Sequence, residues 1–194
     1  MNLTSGDFEK AIRRRQYEVA VSGSEWERYV ANFLREQLSV EYEIHLKPKP
    51  SSTIGRLFTV ESVSNLWGEP TEASATIFGD VDIGIVKTNR AIVVVSCKLS
   101  LHNRLTETLF YSLLYHRKGI RVVLVTPDKG RAGRSEWGTP EQPTKNRLLA
   151  RYFLSGVYIG YETGLFPPPK VRAGFGDIVR PLEMLPKDIQ RWFP

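Results

Sequence analysis

Two apolar runs separated by a short polar turn constrain this chain more than anything else in it. Gly79-Asp80-Val81-Asp82-Ile83-Gly84-Ile85-Val86 is followed by Lys87-Thr88-Asn89-Arg90 and then by Ala91-Ile92-Val93-Val94-Val95-Ser96-Cys97-Lys98. Such a pattern predicts a β-hairpin whose second strand is buried on both faces. Side chains alternate along a strand with period two, which predicts who shares a face. Asp80 and Asp82 fall on one side, with Val81, Ile83 and Ile85 on the other; Ser96 and Lys98 go with Val94, and Cys97 goes with Val93 and Val95. Three kinds of polar group therefore gather at the end of an apolar hairpin, where an acid and a lysine are costly unless they hold something. A carboxylate beside an ammonium group suits a hard cation and a water aimed at phosphate. The plainer alternatives are a buried ion pair or strand ends facing water.

The flanking pattern extends the hairpin into a fold. Residues 7–20 read as a basic helix, and Ser24-Glu25-Trp26-Glu27 as a capping box opening a second one, with Trp26, Val30, Phe33 and Leu34 on one stripe. Residues 40–46 alternate like a strand, which Lys47-Pro48-Lys49-Pro50 ends, and residues 53–75 carry no clear pattern. Residues 102–118 place Leu105, Leu109, Leu113 and Leu114 at helical spacing before a short apolar strand at 121–125. Strand, helix, strand implies a crossover and parallel neighbours. A loop rich in Gly and Pro at 128–144, a helix near 145–152, a strand at 157–161 and a terminal helix at 187–192 complete the chain. The expectation is one α/β domain over residues 1–194, with a central mixed sheet of about five strands flanked by helices. Its core spans about 24–161, a basic loop about 128–147, and a tail 166–194.

Helix with an acid near its start, strand with Asp, turn, apolar strand ending in Lys, helix, strand: this order, over residues 24–125, resembles the core of the PD-(D/E)xK nuclease superfamily. The resemblance makes Asp82 the metal-binding aspartate, with Asp80 a second, and Lys98 the catalytic lysine. Ser96 stands where that superfamily usually has Glu or Asp. The Ser-Cys-Lys variant is similar to that of a group of type II restriction endonucleases in which a glutamate on the following helix, roughly four turns beyond the lysine, restores the charge. Here that place falls near Ser112, and Glu107 is the nearby acid on the helix. Glu25, at the start of the early helix, is the preferred substitute; Glu107 is the alternative, and Glu27 a rival already occupied by the capping box. The backbone carbonyl of Cys97 is a further candidate ligand. The implied activity is hydrolysis of DNA phosphodiesters with one or two magnesium ions, most simply by a type II restriction endonuclease acting as a homodimer on double-stranded DNA. A junction resolvase or repair nuclease of the same superfamily, and a DNA-binding subunit without activity, are the alternatives.

Charge agrees with a polyanionic partner. The net formal charge is +6, and residues 128–151 hold Lys129, Arg131, Arg134, Lys145, Arg147 and Arg151 against Asp128, Glu136 and Glu141. Lys129, Arg131, Arg134, Lys145 and Arg147 are candidate DNA contacts, since arginine pairs bidentately with guanine and lysine with phosphate. Arg13, Arg14 and Arg15 are a candidate phosphate clamp. The single cysteine, Cys97, excludes a disulfide framework or cysteine-based zinc cluster and suits a reducing cytoplasm. His45, His102 and His116 do not have a metal-ligand spacing. No apolar run reaches the roughly 18 residues of a membrane span, and the first residues are too charged for a signal peptide, so a cytoplasmic protein without a membrane partner is expected.

Overall fold

A computed structural model describes residues 5–60, 77–79, 81–101 and 104–194, with side chains from residue 21 onward. The predicted hairpin is the centre of a six-stranded mixed sheet. Strand β4 (Ile83–Lys87) turns into β5 (Arg90–Cys97) through Thr88 and Asn89, whose φ angles are 52° and 57°. Positive φ at both central residues makes a two-residue turn whose twist matches that of the strands. Strand β1 (Tyr42–Leu46) pairs antiparallel with β4 on the outer side. Beyond β5 the sheet becomes parallel: β6 (Arg121–Thr126), β7 (Gly156–Ile159) and β8 (Val179–Pro181) follow in that order. A separate pair, β2 (Thr59–Val60) and β3 (Ile77–Phe78), lies outside this sheet.

Helices cover both faces. On one face, helices α1 (Ser5–Gln37) and α5 (Leu185–Trp192) bring Trp26, Val30, Leu34 and Ile189 onto Ile83, Ile85, Val93, Val95 and Cys97. On the other, α3 (Leu105–His116) and α4 (Lys145–Phe153) bring Leu105, Leu109, Leu114 and Ala150 onto Val94, Val122 and Leu124. From Val93 to Cys97 alternate residues of β5 thus enter different cores, as period-two alternation demands, while Ala91 and Ile92 swap sides at the register shift opposite Ile85 and Val86. A five-residue helix, α2 (Thr53–Leu57), is capped by the Ser52 hydroxyl, which accepts from the Gly55 N–H at 3.0 Å. Gly55 itself touches the carbonyl of Lys49 so closely that a methyl group would lie 1.8 Å from it, so only glycine lets the 47–55 turn close.

Two expectations are corrected and one is filled out. The two early helices are one helix of 33 residues, so Ser24 and Glu27 lie in its interior and form no capping box. Interior amides already bond the preceding turn, and burial of the apolar stripe outweighs the cost of Gly23, about 1 kcal/mol. The expected mixed sheet of about five strands is present with six, the tail 166–194 supplying β8. Val81 joins the core on the α3 side, away from Ile83 and Ile85, since it precedes the strand and escapes its alternation. Among the described residues, no helix is long and apolar enough to cross a membrane.

Candidate active site

Asp82 is the residue before β4 and Lys98 the residue after β5. The register pairs Ile83 with Val95, so Asp82 and Lys98 leave the sheet at the same edge. They meet there. Asp82 is 5% and Lys98 4% exposed, and the Asp82 Oδ2 accepts from the Lys98 Nζ at 3.1 Å and from the Cys97 N–H at 2.7 Å. Lys98 is also tied through its backbone, which donates to the Val125 carbonyl at 3.0 Å. The Trp26 indole donates to that same carbonyl at 3.4 Å, so one oxygen of β6 aligns α1 with the end of β5. A charged pair this buried holds its geometry because losing either partner would leave an uncompensated charge.

Above the pair lies a cleft of about 890 Å³. Its floor is Asp82, Cys97 and Lys98; α1 contributes Gly23 and Glu27, the turn after β1 contributes Lys47 to Pro50, and Arg104, Glu107 and Tyr111 form the α3 side. Glu27 is paired with Lys47, whose Nζ lies 2.6 Å from its Oε2. Lys47 has φ 46°, and its N–H donates to the Asp82 carbonyl at 2.9 Å. The Cys97 thiol senses all of these charges. Burial pushes its pKa well up, Asp82 and Glu27 push it further, and Lys98 and Lys47 oppose them, so the thiol stays protonated.

The remaining candidates are distributed differently from the sequence reading. Glu25 is exposed and does not line the cleft, whereas Glu27 does. Successive helix residues turn by about 100°, so residues two apart cannot share a side. The sequence held a signal for this: with Trp26 at zero on a helical wheel, Leu34 lies at about 80°, Glu27 at about 100° and Glu25 at about −100°. Glu27 therefore borders the apolar stripe and Glu25 does not. Ser96 is buried with its hydroxyl 3.2 Å from that of Thr108, bridging sheet to helix rather than facing the cleft. Ser112, at the place of the migrated glutamate, donates to the Phe153 carbonyl and joins α3 to α4. Glu107 is exposed on the cleft rim. Asp80 and His102 lie outside the described residues, as do the side chains of Arg13, Arg14 and Arg15. His45 pairs with Glu43 at 3.3 Å, away from the cleft. Lys47 was missed, because a strand-ending Lys-Pro-Lys-Pro run has no local mark of an active site.

Of the basic candidates, Arg131 and Arg134 are exposed and face each other across a tight turn, and Lys145 is exposed at the start of α4. Lys129 lies 4.1 Å from the centre of the Phe166 ring, and partial burial lowers its pKa. Arg147 is a correction: it is fully buried. Its Nε and Nη2 donate to Asp177, and its other donor contacts are the carbonyls of Gly138, Gly174 and Gly176. With those donors engaged it braces two loops and cannot reach DNA.

Among the described residues, no three His, Cys, Asp or Glu groups converge as a complete metal cage. Magnesium does not need one. It retains several waters and is commonly held by one or two carboxylates together with substrate phosphate. Asp82 on the floor, Glu27 on the wall and the Cys97 carbonyl are hard oxygen donors that fit such an ion.

The comparisons with known proteins bear on the family and the fold. The family model described as BsaWI restriction endonuclease type 2 matches residues 72–171, more than half of the chain, and encloses both Asp82 and Lys98. The fold is similar to that of the specific restriction endonuclease AgeI, solved as a complex with DNA. That similarity has a TM-score of 0.53 and 17% identity, and it covers 84% of this chain and 65% of that chain. At this identity it speaks for the fold. No curated protein sequence matches the chain. The match across the hairpin and its crossover, on a sheet that delivers an acid and a lysine to one edge, places the chain in the BsaWI type 2 restriction endonuclease family.

Proposed function

We propose that this protein is a magnesium-dependent DNA endonuclease, a type II restriction enzyme that cuts a specific site in double-stranded DNA. The observation that carries the reading is the buried Asp82–Lys98 contact at the floor of an open cleft. A bound magnesium ion would supply Lewis acidity at the scissile phosphate and a more acidic water. Asp82 and Glu27, with the Cys97 carbonyl, are the groups that would hold it. Lys98 orients the attacking water and offsets the charge that builds on the pentacovalent phosphate. The Lys98 ammonium is aimed beforehand, because Asp82 holds its tip and Val125 holds its backbone.

Substrate binding would draw on the exposed Lys129, Arg131, Arg134 and Lys145 beyond the cleft. Duplex DNA is the partner, and a homodimer supports the reading because a two-fold axis matches a palindromic site and supplies one active site per strand. A reducing cytoplasm suits the buried Cys97 thiol. The test is digestion of a defined plasmid with magnesium, with calcium and with EDTA in parallel, followed by sequencing of the ends. Discrete bands with magnesium alone are expected. Nicking confined to four-way junctions would indicate a resolvase, and tight binding without cleavage in any metal would indicate a DNA-binding subunit.

A further inference from the structure

The mechanism above uses Glu27 but gives no part to Lys47, with which Glu27 is paired on the cleft wall. The Glu27 side chain is 12% exposed and that of Lys47 54%. A carboxylate so far removed from water needs a positive partner, while an ammonium on a long, half-solvated stem can leave at little cost. The stem is anchored beside the floor, since the Lys47 N–H is bonded to the Asp82 carbonyl. The ammonium is therefore tethered to the residue that would hold the ion.

Charge makes the case sharper. Asp82 is matched by Lys98 and Glu27 by Lys47, so these four groups sum to zero. A dication added to these four raises their sum to two, which Coulomb repulsion in a partly enclosed cleft opposes. If the Lys47 ammonium withdraws, the charge falls to one, and a single phosphodiester neutralises it. All four side chains line one cleft, and the Lys47 N–H is bonded to the Asp82 carbonyl, so the two pairs share one space.

Resting on the nuclease reading, we infer that Lys47 and a divalent cation are alternative partners of Glu27. The ammonium neutralises the carboxylate until the cation takes its place, and the displaced ammonium then turns to a substrate phosphate. Lys47 is thus a positioning residue that couples metal entry to DNA binding. Its effect is readable without cleavage.

Calorimetric titration of manganese into the DNA-free protein tests the first half, using wild type, Lys47→Gln, Glu27→Gln, the double variant and Asp82→Ala. Lys47→Gln should tighten manganese binding by roughly two- to fivefold, the range of a partly exposed ion pair. In the Glu27→Gln background the same change should have no effect. Unchanged or weaker affinity in Lys47→Gln, with binding still abolished by Asp82→Ala, overturns the exchange and leaves the metal site standing. Wild-type affinity in Asp82→Ala would sink the metal reading itself, and the exchange with it. The second half is tested by the salt dependence of duplex binding. With calcium present, Lys47→Gln should lower the log–log slope by about one; without it the slope should barely change. Equal slopes for the two proteins with calcium, or an equal loss in both conditions, would overturn the transfer to phosphate.

Discussion

Among the described residues, two places bury a basic side chain against a carboxylate, and they do opposite things. Lys98 meets Asp82 on the floor of a cleft, and every element around the pair leaves space above it. Arg147 meets Asp177 where three glycine carbonyls take its remaining donors, and it has no exposed surface. The difference lies in what surrounds the cation rather than in the cation. A guanidinium enclosed by acceptors is a brace, because its donors have no capacity left for a ligand. An ammonium held by a carboxylate at the edge of a cavity keeps its field directed at whatever enters.

The largest effect expected is on the brace. Arg147→Ala should cost about 3–5 kcal/mol, because it removes a fully buried side chain and the donor shared by the Gly138, Gly174 and Gly176 carbonyls and leaves Asp177 with Arg151 alone, and a denaturant titration reads it. An unchanged midpoint would erase the contrast between the two pairs. The same brace has a pH signature. Burial alone would raise the Asp177 carboxyl, but hydrogen bonds from Arg147 and Arg151 outweigh it and hold the pKa at about 2, below the ordinary 3.8. A depressed carboxylate contributes stability fully above its unfolded value and loses it as pH falls through the folded one. The 128–144 loop should therefore become protease-sensitive as pH drops from about 4 to about 2 in wild type, with a smaller pH response in Asp177→Asn.

At the other pair the effect is on rate. Lys98→Ala and Asp82→Ala should each lower cleavage by about a hundred- to a thousandfold while DNA binding persists, as judged by filter binding beside single-turnover cleavage. Wild-type rates in either would remove the chemistry from this pair. Glu27→Gln should slow cleavage by about tenfold, the scale of one lost charge at a metal site, and Glu25→Gln should leave it near wild type; the reverse order would return the role to Glu25. The smallest effect concerns the helix that carries both acids. A methyl group on Gly23 meets nothing within 4 Å, so Gly23→Ala should stabilise the protein by about 0.5–1 kcal/mol in thermal melts. Destabilisation would argue against a continuous helix at this point.

The hairpin was legible because its information is local. Period-two alternation relates residues a few positions apart, and the turn at Thr88 and Asn89 lies within the same segment, so Asp82 and Lys98 could be brought to one end of the hairpin from spacing, whereas Ser96 turns to Thr108 on α3. The parallel pairing of β5 with β6 followed from the helix between them. The basic loop misled at Arg147 for a corresponding reason: an arginine that solvates a surface and one that braces two loops look alike until Gly138, Gly174 and Asp177 are brought to it from distant parts of the chain. Strand β8 was read as tail because a three-residue strand has too short a pattern to announce itself.

By itself the sequence determined the acid and the lysine, the strands that carry them and the helical stripe on Trp26, all set by short-range periodicity. The tertiary structure decided which acid of α1 opens onto the cleft, that Lys47 reaches Glu27, and that Arg147 is interior. Those outcomes depend on how a helix lies across a sheet and where loops return, and such long-range packing is encoded in no window of neighbouring residues.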